Sequence, residues 1–331
     1  MMKRQGYLIE KIADLKNLQL AYYKAQKGKT GNREVIKYAK QLKENLKILQ
    51  QQILAGNVET GKYRYFTIYE PKKRLICAAP FCQRVLHHAL MNVCHPFFEK
   101  VQIYDSYASR LGKGTYSALE RAKYFTRHYK WFLKLDFKKY FDSLDHTILK
   151  KQLRKIFKDR KLLKIFESII DSHCVNQNKS VPIGNLTSQY FANHYLSYTD
   201  HFVKETLKIR AYVRYMDDIV LWHDNKDILL NAGLGLKQYS EKELNLSLKP
   251  FCLNKSIHGL PFLGYLLYPD NIRLAHRSRS RFIKKMRKYE NNLKFGIWTQ
   301  EEYQNHVSPL IAFTEYANAK EFRKNVIYNL N

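Results

Sequence analysis

RAYVRYMDDIVLWH, residues 210–223, consists of two strongly apolar arms around a polar pair. Arms of this kind read as the two strands of a β-hairpin in a buried sheet, with Asp217 and Asp218 at the turn. Neighbouring residues on a strand point to opposite faces, so two adjacent carboxylates approach one site only across a tight turn. Held that close they repel each other unless a cation compensates. A solvated turn, where Asp is common, is the plainer reading of the pair alone.

A second carboxylate changes the weighing. WFLKLDF, residues 131–137, is a short apolar run ending near Asp136 and bounded like a buried strand. On its own Asp136 reads as a capping residue, because a buried carboxylate must be paired, hydrogen-bonded or metal-bound. If both strands belong to one sheet, Asp136, Asp217 and Asp218 can together hold two Mg²⁺ ions roughly 3.5–4 Å apart, a geometry suited to in-line phosphoryl transfer.

Outward from this centre, the 331-residue chain is long enough for two or three fused subdomains. Its 58 Lys and Arg against 29 Asp and Glu give a net charge of +29, which predicts a polyanionic partner, nucleic acid first. No apolar stretch is long enough to span a bilayer, and MMKRQGYLIEKIADLK lacks the uninterrupted apolar core of a secretory signal. The five cysteines form no C-x-x-C pair and read as reduced, in a cytosolic setting.

The remaining elements are ordered by period and punctuation. Val35, Ala39, Leu42, Leu46, Leu49 and Ile53 predict one amphipathic helix over 34–54. YRYFTIYEPKKRLICAAP predicts a strand, a turn at Glu70–Pro71 and a strand, with a basic tip whose Lys72 and Arg74 suit a triphosphate. Helices are expected near 81–98, 115–129 and 187–207, and Asp145 is expected to cap another. A pair of strands is expected near 251–275. Between Arg273 and Lys288 lie eight basic residues and no acidic one, with Phe282, Ile283, Met286 and Tyr289 as the apolar stripe of a helix. Arg277, Arg281 and Lys285 in that run are candidate template or primer contacts.

Taken together these stretches resemble reverse transcriptases. Tyr215-Met216-Asp217-Asp218 matches the family's YxDD box, and LDFKKYFDSLDH is similar to its motif A. PKKRLICAAPFCQRVLHHAL and YDSYASRLGKGTYSAL resemble the two finger blocks, and LSLKPFCLNKSIHGLPFLGY resembles the end of the palm. The resemblance covers about residues 60–270. It implies an α+β right-hand polymerase fold: an N-terminal helical extension (1–58), fingers with part of the palm (59–130), a palm with an antiparallel sheet (131–270) and a small helical thumb (271–331). It implies Asp136, Asp217 and Asp218 as catalytic metal ligands, with two Mg²⁺ ions for which Mn²⁺ substitutes. Lys72, Arg74, Phe137, Phe141, Ile183 and Gly184 would meet the incoming deoxynucleotide, Phe141 as the aromatic gate against a 2′-hydroxyl. Ser188, Gln189, Tyr215, Met216, Lys255, Gly264 and Tyr265 would border template and primer, the last two as the primer grip.

One box departs from the commoner pattern. Where many of these enzymes carry Gln-Gly-x-x-x-Ser-Pro, this chain has Ile183-Gly184-Asn185-Leu186-Thr187-Ser188-Gln189, similar to the reverse transcriptases of diversity-generating retroelements. That likeness implies copying of a template-repeat RNA into cDNA with errors opposite adenines, for diversification of a target gene. It also implies a small basic pentameric accessory variability protein as partner, and a cytoplasmic setting in a bacterial, archaeal or phage-infected cell. A methyl surface at Ile183 offers fewer directional contacts than Gln, which weakens discrimination between pairs; the plainer reading is that Ile183 only packs. The alternatives are a group II intron-like, retron or phage-defence reverse transcriptase, and a non-catalytic RNA-binding scaffold. The chain is expected to carry neither an RNase H domain nor an attached endonuclease.

Overall fold

The computed structural model describes residues 3–69, 73–175 and 178–329. Three antiparallel sheets are formed by β1 (Arg64–Ile68), β2 (Arg74–Ala78), β3 (Trp131–Leu135), β4 (Ala211–Tyr215), β5 (Asp218–His223), β6 (Cys252–Lys255), β7 (Leu260–Phe262), β8 (Tyr265–Leu267) and β9 (Ile272–Leu274). β1 and β2 pair as a two-stranded ribbon, the central sheet has the order β4-β5-β3-β6, and β7-β8-β9 form a small meander. The expected turn at Glu70–Pro71 and Lys72 lie outside the described residues.

The central sheet is buried on both faces, which is why its strands read as continuous apolar runs. Ile219 and Leu221 of β5 join Leu133, Leu135 and Tyr212 in one core. Val220 and Trp222, pointing the other way by the two-residue period, join Phe132, Ala211 and Val213 in a second. The first face is covered by the helix Lys226–Leu244, and the second by the helix Thr115–His128. Trp222 fixes its buried indole by donating to Thr126 Oγ1 at 3.2 Å. The N-terminal helices share the first core: Ile12, Leu18, Leu49 and Ile53 belong to the same cluster as Leu133 and Leu221.

The structure departs from the expected elements in four places. The helix expected over 34–54 is two, Arg33–Lys40 and Leu42–Ala55, broken at Gln41 (φ −122°, ψ 39°). Ala39 is exposed, so the buried stripe changes phase there, and Asn45 donates to the Tyr38 carbonyl across the break at 3.0 Å. The helix expected near 187–207 is Leu186–Tyr195, then Ser197–His201 and a π-helical turn Phe202–Thr206, whose Phe202 stacks on Tyr239 at 4.1 Å. The strand pair near 251–275 is four short strands, because Gly259, Leu263 and Gly264 all have positive φ and interrupt the run. The basic helix begins at His276, leaving Arg273 on β9. Asp145 caps the helix His146–Ile156 as expected, accepting from the Ile148 amide.

Candidate active site

Sheet register brings the carboxylates together. Trp131–Leu135 pair with His223–Ile219, so one step beyond the last row Asp136 comes opposite Asp218. Tyr215 pairs with Asp218, which makes Met216–Asp217 a two-residue hairpin loop. The turn is therefore one residue earlier than the sequence reading placed it, and Asp218 is the first residue of β5. Met216 takes φ +53°, the left-handed value that hairpin turns require, although it is not glycine. That leaves Asp217 at the tip and Asp218 beside it.

Each carboxylate has a distinct environment. The Asp136 carboxylate meets the Lys249 ammonium, and its carbonyl accepts from the Lys249 amide at 2.9 Å. Asp218 lies 3.4 Å from Lys134 Nζ. Asp217 is pushed up to about 6, first by burial and then by the negative charges of Asp136 and Asp218, with Lys249 opposing. Clustered acids under mutual repulsion are a donor set that suits a hard divalent cation. Among the described residues no three His, Cys, Asp or Glu side chains form a complete metal cage.

Asp217 and Asp218 open onto a cleft of about 530 Å³ lined also by Arg74, Phe137, Tyr140, Phe141, Ile183, Gly184, Gln189, Tyr215 and Met216, with Lys139, Asp142, Asn185, Lys249 and Leu263; Asp136 pairs with Lys249 and is not in its lining. Arg74 starts β2 and is exposed. The Ile183 carbonyl accepts from the Cys77 amide at 2.8 Å, which seats the β1–β2 ribbon against the Ile183–Gly184 segment. Gly184 has φ +122°, and a Cβ there would stand 3.1 Å from the Cys77 carbonyl oxygen, so only glycine fits without strain. Gln189 accepts from Ser109 Oγ at 3.1 Å, and the Tyr215 hydroxyl accepts from Thr115 Oγ1 at 3.1 Å.

Other sequence candidates lie elsewhere. Lys255 is at the opposite end of β3 from Asp136, with its ammonium 5.6 Å from the Trp131 ring centroid. Ser188 is buried in its helix. Tyr265 is buried and donates to the Phe313 carbonyl at 2.6 Å, so its ring packs inward. Gly264 shares a two-residue turn with Leu263, and Leu263 is the residue of that pair lining the cleft. Arg281 and Lys285 line a separate groove with Tyr289, His306 and Pro309, and Arg277 is exposed on the same helix. Lys249, Leu263 and Lys139 were missed by sequence reasoning. Only the position of Lys249 in LSLKPF, just before β6, hinted at its place at the sheet end.

A carboxylate hairpin beside a second acidic strand end, with Arg74 of the β1–β2 ribbon lining the cleft, is an arrangement suited to divalent-metal phosphoryl transfer. Residues 69–267 match the reverse transcriptase (RNA-dependent DNA polymerase) family, and the chain belongs to that family. Its curated relatives include the nuclear intron maturase 1, mitochondrial, of Arabidopsis thaliana, 32% identical over 88 residues (27% of this chain, 12% of that protein). They also include the putative COX1/OXI3 intron 2 protein of Saccharomyces cerevisiae, 20% identical over 332 residues (78% and 38%). The fold is that of right-hand polymerases. It is shared with apo telomerase from Candida tropicalis truncated from its C-terminal domain, at TM-score 0.51, 15% identity, 65% of this chain and 55% of that one. The chain thus spans a minor part of the curated relatives and about half of the telomerase chain. Among the described residues no helix is long and apolar enough to cross a membrane.

Proposed function

We propose that this chain is an RNA-directed DNA polymerase whose reaction takes place where the cleft meets the Asp136–Asp217–Asp218 cluster. The observation that carries this reading is the convergence of Arg74, Phe141, Ile183, Met216, Asp217 and Asp218 on one cleft from segments far apart in sequence. Asp136, Asp217 and Asp218 would hold Mg²⁺, with Mn²⁺ as substitute. Bound there, the ions supply the charge that activates a primer 3′-hydroxyl and stabilises departing pyrophosphate. The chain's own residues do the rest. Arg74 offers a planar fork of donors to the triphosphate. Phe141 crowds the sugar C2′ position against a hydroxyl. Gly184 lets the β1–β2 ribbon close on the Ile183–Gly184 segment, where a Cβ would crowd the Cys77 carbonyl oxygen. Residues 1–58 would serve as helical extension, 59–130 as fingers, 131–270 as palm and 271–331 as a thumb gripping the RNA/cDNA hybrid with Arg277, Arg281 and Lys285.

Within the family, the Ile183-Gly184-x-x-x-Ser188-Gln189 box favours the diversity-generating type. On that reading the chain copies a template-repeat RNA with errors at adenines, together with a small basic pentameric accessory protein, in a bacterial, archaeal or phage-infected cell. Ile183 lines the cleft with an apolar side chain where it would meet the nascent pair. A second reading, an intron-type enzyme without a mutagenic role, is favoured by relatives that are named as intron proteins.

The test is primer extension on an RNA template with Mg²⁺ and four dNTPs, followed by cDNA sequencing, with and without any small basic protein encoded alongside. Errors concentrated at template adenines, falling several-fold in Ile183→Gln, support the first reading. Sparse, evenly spread errors in both support the intron-type reading. Retained RNA binding with no DNA product under any condition leaves only a scaffold.

A further inference from the structure

Arg214 is the largest charged side chain in the core, and both it and Asp200 are fully buried. Its Nε donates to Asp200 Oδ1 at 2.7 Å and its Nη2 to Asp200 Oδ2 at 2.6 Å, a bidentate pair. Tyr212, two residues earlier on the same face of β4, donates to Asp200 Oδ1 at 2.6 Å. A buried pair of this kind is weak support for stability, because desolvation offsets most of the attraction and apolar replacements of both partners are often neutral. Its position calls for another account.

Arg214 stands two residues before Met216, and its Nη1 donates to the Met216 carbonyl at 3.1 Å. Met216 is the left-handed residue of the carboxylate hairpin, a conformation that costs a non-glycine residue on the order of 1 kcal/mol. Fixing that carbonyl fixes the Met216–Asp217 peptide plane, and with it the direction in which Asp217 leaves the backbone. The same Nη1 donates to Asn193 Oδ1 at 2.7 Å, while Nη2 reaches the Asn193 carbonyl and Gln102 Oε1, each at 3.2 Å. Asn193 lies on the helix Leu186–Tyr195, which also carries Ser188 and the cleft residue Gln189. The Arg214 backbone is held as well: its amide donates to the Asp105 carbonyl at 2.9 Å and its carbonyl accepts from the Tyr107 amide at 3.0 Å.

We propose that Arg214 is a positioning residue for nucleotide transfer, holding the Met216–Asp217 turn at a fixed setting against the helix that borders the nucleotide. The proposal rests on the Asp136–Asp217–Asp218 reading of the site. Lysine cannot replace the guanidinium, because one ammonium cannot meet both Asp200 oxygens, Asn193 and the Met216 carbonyl at once. Asp200 serves to compensate the buried guanidinium charge and to orient it through the bidentate pair.

The experiment compares full-length wild type, Arg214→Lys, the paired Arg214→Met/Asp200→Leu and Asp217→Asn. The paired variant removes both buried charges and so avoids leaving Asp200 uncompensated. Single-turnover dNTP incorporation is measured against Mg²⁺ concentration on a primed RNA template, alongside thermal unfolding and primer–template affinity. The expected result is folded Arg214 variants that bind primer–template within about twofold of wild type, incorporate about 10- to 100-fold more slowly, and need several-fold more Mg²⁺. Folded variants with wild-type rate and Mg²⁺ dependence overturn the proposal. So does failure of both Arg214 variants to fold, which makes the pair purely structural. Asp217→Asn separates the two readings: its activity at wild-type level removes the site assignment itself, whereas its inactivity beside fully active Arg214 variants removes only the positioning role.

Discussion

Lys249 is bonded to Asp136 twice, through its amide to the Asp136 carbonyl at 2.9 Å and through its ammonium to the Asp136 carboxylate. The two residues are 113 positions apart in sequence and meet where the chain turns into β6. Lysine and a divalent ion would compete for the same carboxylate. A half-exposed ion pair is worth about 0.2–1 kcal/mol. Lys249→Met is therefore expected to lower the Mg²⁺ concentration for half-maximal incorporation by up to about fivefold, read from a metal titration at saturating dNTP. A raised requirement would mean that Lys249 assists the charged substrate more than it competes.

Burial and two neighbouring carboxylates act against the charge of Asp217. Asp217→Asn removes that repulsion and keeps the shape. In EDTA the variant should unfold at the same temperature as wild type or higher, while dNTP incorporation falls by about a hundred- to a thousandfold. Loss of activity together with loss of stability would point instead to a structural aspartate.

Gly184 joins the cleft to the β1–β2 ribbon. At Gly184→Ala the new Cβ meets the Cys77 carbonyl oxygen at 3.1 Å and Ile76 Cγ2 at 3.2 Å, at φ +122°. The expected cost is about 1–3 kcal/mol, and the ribbon should shift with Arg74 at its start. Steady-state kinetics should show the dNTP KM rising more than kcat falls, because in the proposed function Arg74 would meet the triphosphate without holding the carboxylates.

His87 and His194 are wholly buried, and burial holds them low, at about 3 and about 4. Both are neutral in the fold and free to protonate near 6.5 in the unfolded chain. Below about pH 6.5 the unfolded state binds more protons, so stability present at neutral pH is lost as pH falls toward 4. Each unit of separation is worth about 1.4 kcal/mol per histidine. Urea midpoints should drop steeply between pH 6.5 and 4.5. A His194→Gln variant should show a shallower slope, and an unchanged slope would assign the acid sensitivity to other groups.

The sequence by itself determined the local parts, because period and punctuation act within one element. Apolar arms on either side of a polar pair dictated a hairpin, the apolar run 131–137 dictated a strand, and Asp145 dictated a helix start. Family likeness then attached roles to Asp136, Asp217 and Asp218. Where local rules were ambiguous they slipped: the hairpin turn lay one residue earlier, and glycine and Leu263 divided an expected strand pair into four. Only the tertiary structure decided that Lys249 meets Asp136, that Arg214 reaches Asp200 and Met216, and that Lys255 lies at the far end of β3. Those facts depend on sheet register and on which buried polar groups find partners, and both are fixed by contacts between segments far apart in the chain. No local pattern encodes them, since a lysine or arginine in a strand reads the same whether it faces water or a buried carboxylate.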